Sequence, residues 1–270
     1  MSEARPPTTS DPGAIAAAFV AARLAAIALP DYPGAVPRDL EAAYRCQDAA
    51  IARWPDCIAG WKVGWIAPER RDASGDERLV GPIFARTLQA WTPDALVEFP
   101  IIAGGFAAVE AEYVFRLGVD APREKTAWRE DEAAALVAAV HVGIEVAGSP
   151  LATINVLGPA VVASDFGNNS GLILGPAVAH WRARGTLRCA TLVAGREVGR
   201  AETPTGAPLA ALAFALARLA RRGRPLRAGD LVTTGAVTGI HDIAVGEDAA
   251  VVFEGIATIR CRAVRAERRR

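Results

Sequence analysis

The sequence contains few of the residues that build disulfide frameworks and transition-metal sites. It has four cysteines and three histidines among 270 residues. The cysteines, Cys46, Cys57, Cys189 and Cys261, are widely separated and form no CxxC pair. This spacing argues against both a zinc site and a disulfide framework. It favours a reducing compartment, and we therefore expect a cytoplasmic protein.

Net charge is absent as well. The 30 basic and 30 acidic residues balance, so there is no electrostatic case for nucleic-acid binding. The apolar stretch at residues 14–30 is interrupted by Arg23 and is too short and too charged for a membrane span, so it predicts an amphipathic helix. We therefore expect partners that are neither nucleic acid nor membrane. Apolar residues make up 51% of the chain, which is ample for a core.

Three glutamates lie in apolar surroundings. Glu110 and Glu112 belong to the run 106–115, whose Val, Tyr and Phe content is typical of a β-strand. Residues i and i+2 of a strand share a face, so the two carboxylates would project side by side. Glu145 lies in a second apolar run, 141–147. Three carboxylates suit a hard cation such as Mg²⁺ or Mn²⁺, although the pair taken alone also fits the solvent face of an edge strand.

The remaining pattern predicts an α+β architecture. We expect helices at about residues 12–29, 39–54, 130–140 and 208–222, and strands at 60–65, 94–99, 107–117, 142–147, 159–163, 171–178, 187–193, 231–235 and 249–263. Residues 1–11, rich in Pro, Ser and Thr, are expected to be disordered. Many short strands with few long helices favour a mixed fold over a doubly wound sheet. We expect an N-terminal helical segment at residues 1–60 and a catalytic mixed β domain at 61–270, acting as a single unit.

Five short motifs follow one another along the chain. They are Gly60-Trp61-Lys62-Val63-Gly64, Glu110-Ala111-Glu112, Ile144-Glu145-Val146, Asp165-Phe166-Gly167-Asn168-Asn169-Ser170-Gly171 and Gly229-Asp230-Leu231-Val232-Thr233-Thr234-Gly235-Ala236-Val237-Thr238. This ordered set resembles the hydratase/decarboxylase branch of the fumarylacetoacetate hydrolase superfamily, which includes 2-keto-4-pentenoate hydratases and 4-oxalocrotonate decarboxylases. The resemblance extends from about residue 14 to 263. It implies a fumarylacetoacetase C-terminal-like mixed β-sandwich or β-roll with N-terminal helices.

The resemblance also implies a site of seven residues in three roles. These are the ligands of Mg²⁺ or Mn²⁺, Glu110, Glu112 and Glu145; the catalytic residue, Lys62; and the substrate contacts, Asn169, Ser170 and Thr238. Lys62 would stabilise charge or donate a proton over the substrate. The alternative interpretation of Lys62 is an ordinary lysine on the exposed face of a strand. Ordinary turn and strand roles stay open for the three substrate contacts.

The implied activity is metal-dependent hydration of a 2-oxo or 2-hydroxydienoic acid in aromatic-compound catabolism, by a homo-oligomer. The C1 carboxylate and the C2 oxygen of this small-molecule substrate would chelate the metal. Decarboxylation of 2-oxo-3-hexenedioate (4-oxalocrotonate) stays open, as does a role as the non-catalytic partner subunit of such a complex. Hydrolysis of an acylpyruvate is a weaker alternative, because it usually calls for a His/Glu base in the N-terminal region and residues 1–60 contain no His.

Two departures from the family pattern bear either on the substrate tail that is recognised or on a proton-transfer group. Gly148-Ser149-Pro150 stands where the family often has Asp-Ser-Arg, and Val80-Gly81-Pro82-Ile83 replaces a Pro-Asp-x-Gly turn. The missing Arg favours a small monocarboxylate.

The charged segment 67–79 is expected to be a mobile lid beside the site. It offers three candidates for pairing with a second carboxylate, Arg70, Arg71 and Arg78. A hydrophobic tail would instead meet apolar residues near the segment, namely Ile66, Leu79, Ile83 and Phe84.

Overall fold

The structure is a computed structural model in which residues 10–268 are described. Its helices are α1 (Pro12–Ala25), α2 (Leu40–Arg53), α3 (Glu130–Ala135), α4 (Ile154–Leu157), α5 (Pro159–Ser164) and α6 (Leu209–Arg221). Its strands are β1 (Ile58–Trp65), β2 (Arg78–Phe84), β3 (Leu88–Ala90), β4 (Leu96–Ile101), β5 (Phe106–Leu117), β6 (Val137–Ser149), β7 (Asn169–Ala177), β8 (Thr186–Val193), β9 (Arg196–Pro204), β10 (Leu231–Thr233), β11 (His241–Asp242), β12 (Asp248–Phe253) and β13 (Ala257–Arg265). The predicted α+β class with N-terminal helices is confirmed.

The strands form two sheets. The larger has the order β2-β1-β10-β5-β6-β7-β3, with β11 added beside β5. Its centre is the long antiparallel pair of β5 and β6. Because β2 at one edge also contacts β7 near the other edge, the sheet curls into a roll. The smaller sheet has the order β4-β13-β12-β8-β9.

The two faces of β5 have different surroundings. One face contributes Val109, Ala111, Tyr113 and Phe115 to the main core. This core also contains Val251, Phe253 and Ile259 of the smaller sheet, together with apolar side chains of α6. Since side chains alternate along a strand, the other face carries Glu110 and Glu112. The inside of the roll is therefore the face that holds the acidic residues.

The N-terminal helices support the segment that covers this acidic face. Phe19 of α1 and Cys46 of α2 pack in one buried cluster with Leu151, Ile154 and Val161. A second cluster joins the same helices to Phe84 and Phe166. The helices thus hold residues 150–168 against the roll.

A buried ion pair fastens α1 to the same segment. Arg23 Nε donates to Asp165 Oδ1 at 2.6 Å, and Arg23 Nη2 donates to Asp165 Oδ2 at 2.9 Å and to the Gly148 carbonyl at 2.8 Å. Ser149 Oγ donates to Asp165 Oδ2 at 2.6 Å. The Gly148 carbonyl and the Ser149 hydroxyl therefore both serve this network, and of the two only position 148 departs from the family pattern.

Three predicted elements are wrong in type or extent. Residues 159–163 are helical rather than extended, since Pro159 fills the first helical position of α5, where its missing N–H costs nothing. The helix at 130–140 ends at Ala135, because the valines that follow pair with β5 as β6. The strand at 249–263 is a hairpin, turned at Gly255 with φ +66°. Strands β2, β3, β9 and β11 were not expected.

Two expectations about chain organisation stay predictions. The boundary expected at residue 60 falls inside β1, and the division into a helical segment and a β domain is not tested further. The disorder expected at residues 1–11 lies outside the described residues, apart from Ser10 and Asp11, the latter being the N-cap of α1. Within residues 10–268 no helix is long and apolar enough to cross a membrane.

Loss of the Arg23 side chain should destabilise the fold strongly. Arg23→Ala leaves the Asp165 carboxylate buried without its cation, and we expect a loss of about 3–5 kcal/mol in the free energy of unfolding, measured by urea denaturation. Arg38→Ala is the matched control, since Arg38 pairs with Asp39 at 2.9 Å on the surface and should cost about 0.5 kcal/mol or less. Equal effects of the two substitutions would contradict the structural role of the buried pair.

Candidate active site

Three carboxylates converge on the inner face of the roll. Glu110 of β5 lies directly opposite Glu145 of β6, and Glu112 follows two positions along β5. Glu110 is 3% exposed and the other two are 0% exposed. One oxygen of each lies within 4.8 Å of the others. The sequence prediction that these residues share a face is therefore met by the geometry.

Neighbouring groups orient the carboxylates but do not satisfy them. Thr233 Oγ1 donates to Glu145 Oε2 at 3.0 Å, and the Thr234 backbone N–H donates to Glu112 Oε2 at 2.9 Å. The Oε1 atoms of all three glutamates are buried without a hydrogen-bond donor in the described part of the chain. Sequence reasoning placed the 229–238 motif near the site but missed these two threonines.

Lys62 is the only lysine or arginine within ion-pair distance of the cluster in residues 10–268. Its Nζ lies 3.4 Å from Glu145 Oε1, an ion pair longer than a strong charged hydrogen bond. Burial alone would lower the pKa of the Lys62 ammonium, but the three carboxylates, Glu145 foremost, outweigh burial and raise it to about 12. A single ammonium thus faces three carboxylates.

The cluster carries more potential negative charge than Lys62 can offset. Burial raises the pKa of Glu110 to about 7 even though Lys62 opposes the shift. Burial, followed by the repulsion of Glu145 and Glu110, raises the pKa of Glu112 well above its usual value. A divalent cation would remove this repulsion, and an all-oxygen donor set suits Mg²⁺ or Mn²⁺. The residues present therefore fit a hard metal ion.

A cavity of about 360 Å³ opens above Lys62 and Glu110. Its walls come from residues 64–70, the α4–α5 segment and the 236–240 loop. Asn168 is the buried polar residue of the wall. Its Nδ2 donates to Asn155 Oδ1 at 3.3 Å, while its Oδ1 is buried without a donor among the described residues.

Two glycines bring Asn168 into this cavity. A Cβ atom at Gly81 would overlap the Phe166 carbonyl, and a Cβ atom at Gly167, whose φ is +64°, would lie 3.3 Å from Lys62 Cδ. The turn at 166–168 therefore packs directly on β2 and on the stem of Lys62. Asn168 belongs to a motif identified in the sequence, but the residue itself was not predicted as a site residue.

The three predicted substrate contacts lie elsewhere. Asn169 and Ser170 begin β7 and line a separate cavity of about 60 Å³ beside Arg23. Residues 166–168 have positive φ, and Asn168 lines the large cavity whereas its two successors line the small one. Thr238 Oγ1 lies 2.8 Å from Thr191 Oγ1 of the smaller sheet and 3.2 Å from His241 Nε2. The structure does not bring these three residues to the carboxylate cluster.

The segment expected to be a mobile lid is fastened at several points. Asp72 accepts a hydrogen bond from the Leu40 backbone N–H at 2.7 Å, and Asp76 forms an ion pair with Arg218. Arg70 donates through Nη1 to the Asn155 carbonyl and through Nη2 to the Val156 carbonyl, both at 2.9 Å. The segment therefore forms one wall of the cavity and is held in place by these contacts.

The predicted tail contacts are only partly found in the cavity. Of the three arginines, Arg70 alone lines it, whereas Arg71 and Arg78 form ion pairs with Glu77. Of the four apolar candidates, Ile66 and Leu79 line the cavity. Ile83 packs in a buried apolar cluster and Phe84 lines the smaller cavity beside Arg23.

Residues 73–264 match the model of the fumarylacetoacetate (FAA) hydrolase C-terminal family. The chain therefore belongs to this family, and the resemblance found in the sequence is confirmed. No curated protein sequence matches the chain.

Solved structures show the same fold. The 4-oxalocrotonate decarboxylase from Pseudomonas putida G7, complexed with magnesium and adipate, is 18% identical with a TM-score of 0.75, covering 94% of this chain and 97% of that chain. The fumarylpyruvate hydrolase from Pseudomonas aeruginosa, in complex with Mn²⁺ and pyruvate, is 16% identical with a TM-score of 0.58, covering 76% and 89%. The 2-hydroxyhepta-2,4-diene-1,7-dioate isomerase from Mycobacterium marinum is 18% identical with a TM-score of 0.52, covering 78% and 77%. These neighbours catalyse different reactions, so the fold leaves the reaction open.

The metal-free protein should lose stability as the pH rises. Folding raises the pKa of Glu110 from 4.5 to about 7, so the folded state retains a proton that the unfolded state releases in this window. Stability is then highest at the acidic end and declines towards about pH 7. Melting temperatures measured in EDTA across this window should show the decline.

The Glu110→Gln variant should reduce this dependence, because the titrating group is gone. Glu124→Gln, at an exposed position, is the control and should retain the decline. An unchanged pH dependence in Glu110→Gln would contradict the assignment.

Proposed function

We propose that the protein is a divalent-metal-dependent lyase that adds water to a 2-oxo or 2-hydroxydienoic acid. The observation that carries the proposal is the buried cluster of three carboxylates beside Lys62. Lys62 and Glu110 form the floor of a cavity with mainly apolar walls. Burying three anions around one ammonium is costly unless a cation is bound. A purely structural role does not require three buried carboxylates at one point.

Glu110, Glu112 and Glu145 would hold Mg²⁺ or Mn²⁺ through their Oε1 atoms, of which, among the described residues, only Glu145 Oε1 has a partner, the Lys62 ammonium at 3.4 Å. Thr233 and the Thr234 N–H fix the other oxygens of Glu145 and Glu112, so these ligands are already oriented. The 4-oxalocrotonate decarboxylase is complexed with magnesium or calcium and the fumarylpyruvate hydrolase with Mn²⁺, which is consistent with a site for a hard cation here.

When bound, the metal would supply a Lewis acid that draws electron density towards the C2 oxygen of a chelated 2-oxo acid. Lys62 would place its ammonium beside the same oxygen and stabilise the negative charge that develops there. The β1 strand holds Lys62 rigidly, since it is paired with β2 and β10 on its two sides. The role of Lys62 is thus charge stabilisation.

Water addition requires a group that positions water away from the metal. The free Oδ1 of Asn168 can accept a hydrogen bond from that water, while Asn155 holds the amide in place. In the ketonised, conjugated acid the hydroxyl then bonds to C4 and a proton to C3, so one water is added in all. Apolar wall residues such as Leu79 would exclude further water.

Decarboxylation of 2-oxo-3-hexenedioate is the second candidate, because Arg70 is a cation that lines the cavity. To pair with the second carboxylate of a diacid, Arg70 would have to release the Asn155 and Val156 carbonyls. The same electron sink at C2 would then accept the electrons of the broken C–C bond as CO₂ departs. The homo-oligomeric state and the cytoplasmic location stay predictions.

The reaction can be tested by adding Mg²⁺ or Mn²⁺ to EDTA-treated protein with 2-hydroxypentadienoate or 2-oxo-3-hexenedioate. We expect metal-dependent loss of the dienol absorbance and a 4-hydroxy-2-oxo acid product. Preference for the diacid by about tenfold or more, lost in Arg70→Ala, would favour a diacid-specific enzyme instead, and release of CO₂ would identify it as the decarboxylase. Absence of metal-dependent turnover of either acid would contradict both and favour a non-catalytic subunit.

Replacing Lys62 should separate catalysis from metal binding. Lys62→Met should lower kcat by roughly 100-fold or more, while metal affinity measured by calorimetry stays unchanged or rises, because a competing positive charge is removed. The chain has one other lysine, Lys125, which pairs with Glu132 at 2.8 Å on the surface. Lys125→Met is the control and should retain activity. Full activity of Lys62→Met would remove Lys62 from the mechanism.

A further inference from the structure

The cavity is larger than a five-carbon acid requires. Its volume of about 360 Å³ lies within the range of roughly 300–1,000 Å³ typical of sites for drug-sized ligands. The chelating end of the substrate would occupy only the polar floor at Lys62 and Glu110. The remaining space needs an occupant, and its chemistry is set by the walls.

An apolar wall begins directly beside the Lys62 ammonium. A methyl group at Gly64 would lie 3.6 Å from Lys62 Nζ and 3.4 Å from Leu79 Cδ1. One carbon at this point would therefore contact both the ammonium and the apolar wall. A substrate whose reacting carbons lie at Lys62 would pass its next carbons along Leu79.

The apolar wall continues to the mouth of the cavity. Ile66 and Val162 line it behind Leu79, and Trp65 and Ile240 line its outer part. Trp65 is 61% exposed and Ile240 is 51% exposed. Because exposed clusters of large apolar side chains usually mark a binding site, these two residues indicate that an apolar group binds at the mouth. The guanidinium of Arg71 lies 5.9 Å from the Trp65 ring and supports it from one side.

The charged residue at the mouth, Arg70, already has hydrogen-bond partners within the protein. Both Nη atoms of Arg70 donate to backbone carbonyls of α4, so Arg70 acts as a strut between the 67–79 segment and α4. Between Lys62 and the mouth, the described lining offers only the paired amides of Asn155 and Asn168 as further polar side chains. These surroundings suit an apolar tail better than a second carboxylate.

We propose that the substrate of this site carries a large apolar substituent, alkyl or aryl, at the far end of the dienoic acid. The substituent lies along Leu79 and Ile66 and reaches Trp65 and Ile240 at the mouth. This inference rests on the proposed function and names its substrate class. It makes Trp65 and Ile240 specificity-determining residues.

A series of 2-hydroxydienoic acids tests the inference. Acids with hydrogen, ethyl, butyl or phenyl at C5 should show kcat/KM rising by about threefold to fourfold for each buried methylene, with the butyl and phenyl acids at least about tenfold above the parent. Trp65→Ala and Ile240→Ser should lower kcat/KM for these two acids more than for the parent. Val198→Ser, at another exposed apolar position on β9, is the control and should keep the wild-type ratio.

Affinity of the metal-loaded protein for unreactive saturated 2-oxo acids with the same tails provides a second readout. Tighter binding with longer tails, without turnover of any dienoic acid, would support the tail site while contradicting the proposed reaction. Turnover with a flat or falling kcat/KM along the series would overturn the tail site and leave the reaction intact. Preference for a diacid would also overturn the tail site. So would a Trp65→Ala variant that changes its oligomeric mass but keeps the wild-type ratio of kcat/KM between tailed and parent acids, because Trp65 would then belong to an interface between subunits.

Discussion

The structure depends on the burial of three carboxylates opposite one ammonium. Glu110, Glu112 and Glu145 lie on one face because β5 and β6 pair with Glu110 opposite Glu145. The single positive charge of Lys62 cannot balance three carboxylates, and burial raises the pKa of Glu110 and Glu112. Without a bound cation the cluster destabilises the fold. Because it does not contribute to stability by packing, its presence indicates a function.

The rest of the fold serves to enclose this cluster. The smaller sheet and α6 pack on the opposite face of the roll, so the acidic face is free to form a cavity. The N-terminal helices hold the 150–168 segment over that face through the Arg23–Asp165 pair and two apolar clusters. The same segment supplies Asn155, Val162 and Asn168 to the cavity. Thus the helical part of the chain shapes the cavity without contributing a residue to the carboxylate cluster.

The sequence predicted what depends on local periodicity and failed where the tertiary fold decides. The i, i+2 rule placed Glu110 and Glu112 together, and the motif order identified the family. The choice between Asn168 and Asn169 depends on left-handed backbone at 167–168, which local pattern does not reveal. Thr238 was carried over from the resemblance, but its loop directs the side chain to Thr191. Residues 159–163 were expected to form a strand, yet Pro159 and the packing of α5 on α2 favour a helix there.

The central claim is that the three glutamates form one cation site. Titration of EDTA-treated protein with Mn²⁺, followed by electron paramagnetic resonance of the free ion, measures it most directly. The account predicts one Mn²⁺ per chain, with binding weakened at least about tenfold in Glu145→Gln and unchanged in Glu124→Gln. Absence of stoichiometric binding, or equal binding in Glu145→Gln and the wild-type protein, would contradict it.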